Sequence, residues 1–172
     1  MTKELCLTII LGTATSFTAS IIFTYLFTRL KPNLKISTDI AYSNGSYKIK
    51  IINKSCFSAI HIKARLSYIK HFDVPGGHQE TQATRIPLTL PDGELFSIDK
   101  FDSNIQFATY SYRFRTKEDI RNGLTLHNRL YIRIKITATH SLSNIGKVFT
   151  QNYYANNIIN GDFQFGDNIT VV

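Results

Sequence analysis

The sequence predicts a mainly β protein: a single N-terminal transmembrane helix followed by an antiparallel β-sandwich, immunoglobulin-like in outline, or an irregular barrel. Three observations carry this expectation. Leu5 to Thr28 is a run of 24 residues without a charge, bounded by Glu4 and Arg29. Pro32 then ends the helical pattern, because it cannot continue the hydrogen-bond ladder, and from Leu34 the apolar residues alternate with a period of two. Roughly eight or nine such segments follow at sandwich spacing, with almost no helical pattern between them.

The first element is the anchor, residues 1–31. At about 1.5 Å per residue the uncharged run reaches roughly 36 Å, enough to cross a bilayer core with some tilt. A cleaved signal peptide fits less well: Lys3 is offset by Glu4, the apolar run is too long, and no small-residue cleavage site ends it. Arg29, Lys31 and Lys35 follow the run, whereas only Lys3 and the amino terminus precede it. The positive-inside rule then puts the N-terminus outside and the β domain in the cytoplasm, on the inner (plasma) membrane. Asn-x-Ser/Thr triplets at Asn44, Asn53 and Asn168 are chance matches under that orientation. Within the run, Thr8, Gly12, Ser16, Ser20, Thr24 and Thr28 recur every fourth residue. Such a small-residue stripe lets two helices approach closely and is a candidate homo-oligomer face. The alternative is that its hydroxyls bond their own helix carbonyls.

Residues 32–172 make one soluble domain, long enough to bury a core without staples. Cys6 and Cys56 lie in separate regions, so no disulfide framework is expected, which fits a reducing compartment. The content of 23 Ile and 12 Asn with no Trp reads as the bias of an AT-rich, bacterial genome. The first strand runs from Leu34 to Tyr42, and Asn44-Gly45 marks a tight hairpin into Tyr47–Ile51. Asn53 to Ser58 is a loop. Ile60, Ile62, Ala64 and Leu66 then point inward along a third strand. His71 to Glu80, with Pro75-Gly76-Gly77, reads as irregular; Arg85 to Leu90 reads as a short edge strand interrupted by Pro87. Pro91-Asp92-Gly93 turns into Glu94–Phe101. In Asn104–Arg115 the apolar parity changes, which predicts a bulge near Ala108. Lys117 to Asn122 is one helical turn behind Thr116 as cap. Arg129 to His140 is the best strand, with Leu130, Ile132, Ile134, Ile136 and Ala138 inward, and it forms a hairpin with Lys147–Tyr154. Gly161 to Val172 is a last short strand around Phe163 and Phe165.

The formal charge is +8, of which +6 remains on the soluble part. Four strands each carry two basic residues at i and i+2: Lys48/Lys50, Lys63/Arg65, Arg113/Arg115 and Arg133/Lys135. Alternation puts each pair opposite its strand's apolar set. If these strands are neighbours, the pairs make one basic face for an anionic ligand or lipid head groups; if they divide between sheets, that single face is lost. Nucleic acid is not the expected partner. Tyr68, Tyr131 and Tyr153 could add stacking to such a face. His71, Asp73, His78 and Glu80 cluster in the Pro-Gly-Gly loop, but their spacing matches no zinc signature, so no metal or other cofactor is expected. His61 and His127 read as surface or hairpin-end residues, and His140 ends a strand. Cys56 reads as a small buried residue rather than a nucleophile. The nucleophile-elbow, phosphate-loop, zincin and Cys-x-x-Cys motifs are missing, so an enzyme ranks last.

The functional expectation is therefore a membrane-anchored interaction or scaffolding module at the cytoplasmic face. The alternative is a sensor whose basic domain binds an anionic ligand and signals through helix oligomerisation. In architecture the chain resembles the membrane-anchored β-domain effectors of bacterial phage defence. That resemblance implies a nucleotide or similar anion as ligand and an antiviral role.

Overall fold

The computed structural model describes residues 2–90, 93–104, 108–125 and 130–172. Helix α1 spans Thr2–Arg29. It contains a segment, Lys3–Arg29, long and apolar enough to cross a membrane, and none of that segment is buried against the rest of the chain. Leu30 closes the helix through its N–H to the Phe27 carbonyl, 3.2 Å, and Pro32 lies buried just beyond.

The remainder is mainly β and forms two sheets. The first contains β1 (Leu34–Ile36), β2 (Ile40–Ser43), β3 (Ser46–Asn53), β7 (Ser111–Thr116) and β10 (Ile158–Asn160). The second contains β4 (Ala59–Val74), β5 (His78–Ile86), β6 (Glu94–Ile98), β8 (Leu130–His140) and β9 (Gly146–Tyr153). In each sheet two short strands share one edge of a long one. β1 and β2 meet successive halves of β3, whose other edge takes β7. Likewise β6 and β5 meet successive halves of β4, whose other edge takes β8. Pairings are antiparallel, except that β10 runs parallel to β2.

One core joins the sheets. Ile40, Ile49, Ile51 and Phe114 of the first pack with Ile62, Leu66, Ile132, Ile134 and Ile136 of the second, together with Ile120 and Leu124 from the short helix α2 (Ile120–Thr125). The β-branched content suits a pleated, close-packed surface. Tyr153 on β9 is fully buried, and its hydroxyl donates to the Ser37 carbonyl at 2.8 Å, tying the second sheet to the break between β1 and β2. Gly93 sits where the chain entering β6 comes close to its neighbour β4: its φ is +68°, and a Cβ there would lie 2.1 Å from the Ala64 carbonyl oxygen.

Several expected elements are confirmed. Asn44 and Gly45 have φ of 51° and 68°, the paired positive values of a type I′ turn. The Arg129–His140 strand appears as β8, Arg129 lying outside the described residues, and β9 pairs with it as expected. Others are corrected. The first strand is two, because Ser37 to Asp39 leave the ladder; the Ser37 hydroxyl there bonds the Asp39 carbonyl at 2.9 Å. His71 to Glu80 is not irregular: β4 and β5 continue as a ribbon to a turn at 75–77. β5 ends at Ile86, so Arg85–Leu90 is no separate strand; Pro87 lacks the N–H a ladder needs. Ala108 has φ +46° and its carbonyl accepts from Ser111 N–H at 2.9 Å, so a turn replaces the expected bulge. The expected strand through residues 105–107 lies outside the described residues. The helical turn is shifted to Ile120–Thr125, with Gly123 inside it. The last strand is β10; beyond it only Phe163 and Val171 form a bridge.

Candidate functional site

The four basic pairs divide equally between the two sheets. On the first, Lys48 stands opposite Arg115 and Lys50 opposite Arg113 across β3 and β7. These side chains point away from the common core, as alternation requires, yet Lys48 and Lys50 are 6% and 1% exposed. The C-terminal segment, residues 161–172, covers them. The Lys50 ammonium donates to the carbonyls of Gln164, Gly166 and Asn168 at 2.7, 2.8 and 2.7 Å, which uses all three of its protons. Burial, and then the Arg113 guanidinium, pull its pKa down to about 8, so it keeps its charge at neutral pH. Lys48 pairs with Asp162, and Arg113 donates to the Phe163 carbonyl at 2.8 Å. Burial alone would raise the Asp162 carboxyl; hydrogen bonds from Lys48 and the Phe163 N–H, with the charges of Lys48 and Arg113, hold it below the usual range. Three of these four cations therefore fasten a covering segment. Arg115 is exposed and has no side-chain partner among the described residues. With Tyr112, Arg113 and Phe165 it lines a cavity of about 430 Å³.

On the second sheet the outward face is open. Arg65 of β4 stands directly opposite Lys135 of β8, and neither side chain has an anionic partner among the described residues. One row further, Ser67 separates Arg133 on β8 from Arg85 on β5. One row the other way, Lys63 pairs with Glu94 at 2.6 Å, both half-exposed. Arg133 is oriented by Asn152 Oδ1 at 2.9 Å and the Tyr131 hydroxyl at 2.8 Å. Lys63, Arg65, Lys135 and Thr137 outline a shallow groove of about 160 Å³. Among the described residues, five cations across these rows face one acid, Glu94. Opposed like charges at cross-strand distance destabilise a sheet, so this arrangement has an electrostatic cost that the fold itself does not offset.

Arg85 is the member of this face that the sequence reading missed. Its signal was available only once β5 was paired: the register Ser67–Arg85 puts it on the same face. Beside the face lies an aromatic group. Tyr131 stacks between His71 and Tyr154 at 5.6 and 5.7 Å. Tyr68 and Tyr153 lie on the core side instead.

The other candidates fare as follows. His71, Asp73, His78 and Glu80 do not gather into a metal-binding group among the described residues; the two ring nitrogens of His71 face the Tyr131 and Thr81 hydroxyls at 3.3 and 3.0 Å. Cys56 is exposed, not buried, in the loop between β3 and β4. His61 is exposed at the register shift in β4, and His140 is buried. His127 lies outside the described residues. In α1, Thr8 and Thr28 donate to the carbonyls of Glu4 and Tyr25, at 2.9 and 2.8 Å, so two stripe hydroxyls bond within their own helix.

No family model and no curated protein matches the chain. Among solved structures it is similar to Spo0M, a sporulation control protein from Bacillus subtilis, with 13% identity and a TM-score of 0.36. The match covers 72% of this chain and 48% of that one. At that level the likeness carries no functional argument.

Proposed function

We propose that the chain is a single-pass membrane protein, with α1 in the bilayer, whose cytoplasmic β-sandwich is an interaction module for an acidic segment of a protein partner. The docking face is the outer side of the second sheet. The observation that carries this reading is the opposed Arg65–Lys135 pair, which has no counter-ion among the described residues and stands between Arg85, Arg133 and Lys63. Carboxylates presented by a partner would neutralise these charges, and Arg forks suit carboxylates bidentately.

A protein partner is favoured over the lipid surface by distance. Lys135 lies five residues up β8 from His140, whose turn is bonded to the end of α1 through Ser143 and Leu30. At about 3.3 Å per residue that is roughly 17 Å along the strand, about two Debye lengths at physiological salt. The test uses the full chain in zwitterionic nanodiscs, titrated with a fluorescent polyglutamate peptide. The Arg65→Glu/Lys135→Glu variant should lose binding at least about tenfold; unchanged affinity would remove this reading.

A second reading is favoured by the cavity beside Arg115. Its volume, about 430 Å³, is that of a small-molecule site, and Arg115 offers a guanidinium with no acidic partner among the described residues. There an anionic ligand such as a nucleotide would bind, and binding would be felt through self-association of α1. Arg115→Ala should abolish retention of a nucleotide mixture while leaving peptide binding intact; retention equal to wild type would exclude it.

A further inference from the structure

We infer that the end of the β domain next to α1 is seated in the lipid head-group layer, with Phe57 and Leu142 as its apolar contacts. This rests on the reading of α1 as a membrane span, and the experiment below separates the two. The junction has no free linker. Ser143, in the β8–β9 turn, donates its hydroxyl to the Leu30 carbonyl, one residue beyond the helix. On the β3–β4 loop, Ser55 Oγ accepts from Asn33 N–H at 2.8 Å, and Lys54 N–H donates to the Asn33 carbonyl at 2.8 Å. Both loops are thus fastened to residues 30–33 and held at the level where the chain leaves the bilayer.

The same two loops are bonded to each other, Ser141 N–H to the Ser58 carbonyl at 3.1 Å, and both expose apolar side chains. Phe57 is 37% exposed and packs edge-on to His140 at 5.2 Å; Leu142 is 51% exposed at the tip of the turn. Side chains of this kind at the helix exit fall within the head-group region, where aromatic and aliphatic groups partition favourably. Exposed Lys31 and Arg29 stand at the same level to meet lipid phosphates, Arg29 lying 4.9 Å over the Tyr25 ring.

The chain has no Trp, so single Trp substitutions report without background. Full-length Phe57→Trp, Leu142→Trp, Phe72→Trp and Phe17→Trp variants are reconstituted in phosphatidylcholine–phosphatidylglycerol vesicles, with and without brominated acyl chains, the bromine near the glycerol for positions 57, 142 and 72 and near the chain end for position 17. Phe72 lies at the far end of β4 and Phe17 in the middle of α1. Phe57→Trp and Leu142→Trp should be quenched at least about twofold more than Phe72→Trp, with blue-shifted emission. Quenching of Phe17→Trp without quenching at positions 57 and 142 would overturn the seating while leaving the span intact. Equal quenching at Phe72→Trp would also overturn it. If Phe17→Trp itself escapes brominated lipid, the membrane reading fails and the seating falls with it.

Discussion

Replacing Lys135 by Glu should stabilise the protein while weakening its binding of acidic peptide. Lys135 stands opposite Arg65, and cross-strand Cβ atoms lie about 4.5–5.5 Å apart, so the charged tips approach to about 7 Å. In water, two unit charges at that distance interact by about 0.6 kcal/mol. Reversing one sign changes repulsion into attraction, a difference of about 1.2 kcal/mol before screening. With a Debye length of about 8 Å at physiological salt, roughly 0.5 kcal/mol remains; at 0.01 M salt, where the length is about 30 Å, about 1 kcal/mol remains. For a domain of this size that is a rise in Tm of roughly 2 °C and 4 °C respectively. Thermal denaturation of the full chain in a zwitterionic detergent at the two salt concentrations measures it. A Tm that falls, or that rises equally at both, would refute the unneutralised like-charge pair. A purely solvating face would show the stabilisation without the loss of peptide binding.

Three further outcomes are expected. Lys50→Met removes three charge-assisted hydrogen bonds to the 164–168 carbonyls, some of which water replaces; a loss of about 2–3 kcal/mol in urea unfolding is expected, with new protease cutting after residue 160. A loss under about 1 kcal/mol would mean the clamp holds nothing. His140 is held neutral by burial, and its Nδ1 accepts from Ser143 N–H at 3.3 Å. The unfolded chain takes up this proton near pH 6.5 and the folded chain only below that, so stability is lost as pH falls below about 6.5. Tm measured between pH 7 and 5 should fall less steeply in His140→Asn; an identical slope would contradict the assignment. Under the self-association reading of α1, Gly12→Leu/Ser16→Leu should lower the particle mass measured by light scattering in detergent, and an unchanged mass would leave α1 as a tether only.

What the sequence disclosed follows from where one face of an element is buried and the other is not. β8 was legible because Ile132, Ile134 and Ile136 face the core while Tyr131, Arg133 and Lys135 do not. The ribbon of β4 and β5 was not. From His78 to Arg85 every residue of β5 is exposed, so there is no apolar alternation to read, and Pro75-Gly76-Gly77 looked like the centre of a loop. The burial of Lys48 and Lys50 was equally hidden. Alternation puts them outward, but nothing local says that residues 161–172 fold back over them. Phe163 and Phe165 share a parity and suggested a strand; in fact Phe163 is buried and Phe165 is 89% exposed, because that segment offers its carbonyls to Lys50 rather than to a ladder. The division of the basic pairs between two sheets depends on strand partners far apart in the chain, which no periodicity encodes.

The central claim, that the outer face of the second sheet selects its partner by charge, is tested most directly by reversing the sign on both sides. Wild-type and Arg65→Glu/Arg85→Glu/Lys135→Glu chains, the latter with a net negative face, are titrated in zwitterionic nanodiscs with polyglutamate and with polylysine. The wild type should bind polyglutamate and the variant polylysine, each preference weakening with salt. A variant that still binds polyglutamate and ignores polylysine would contradict the account.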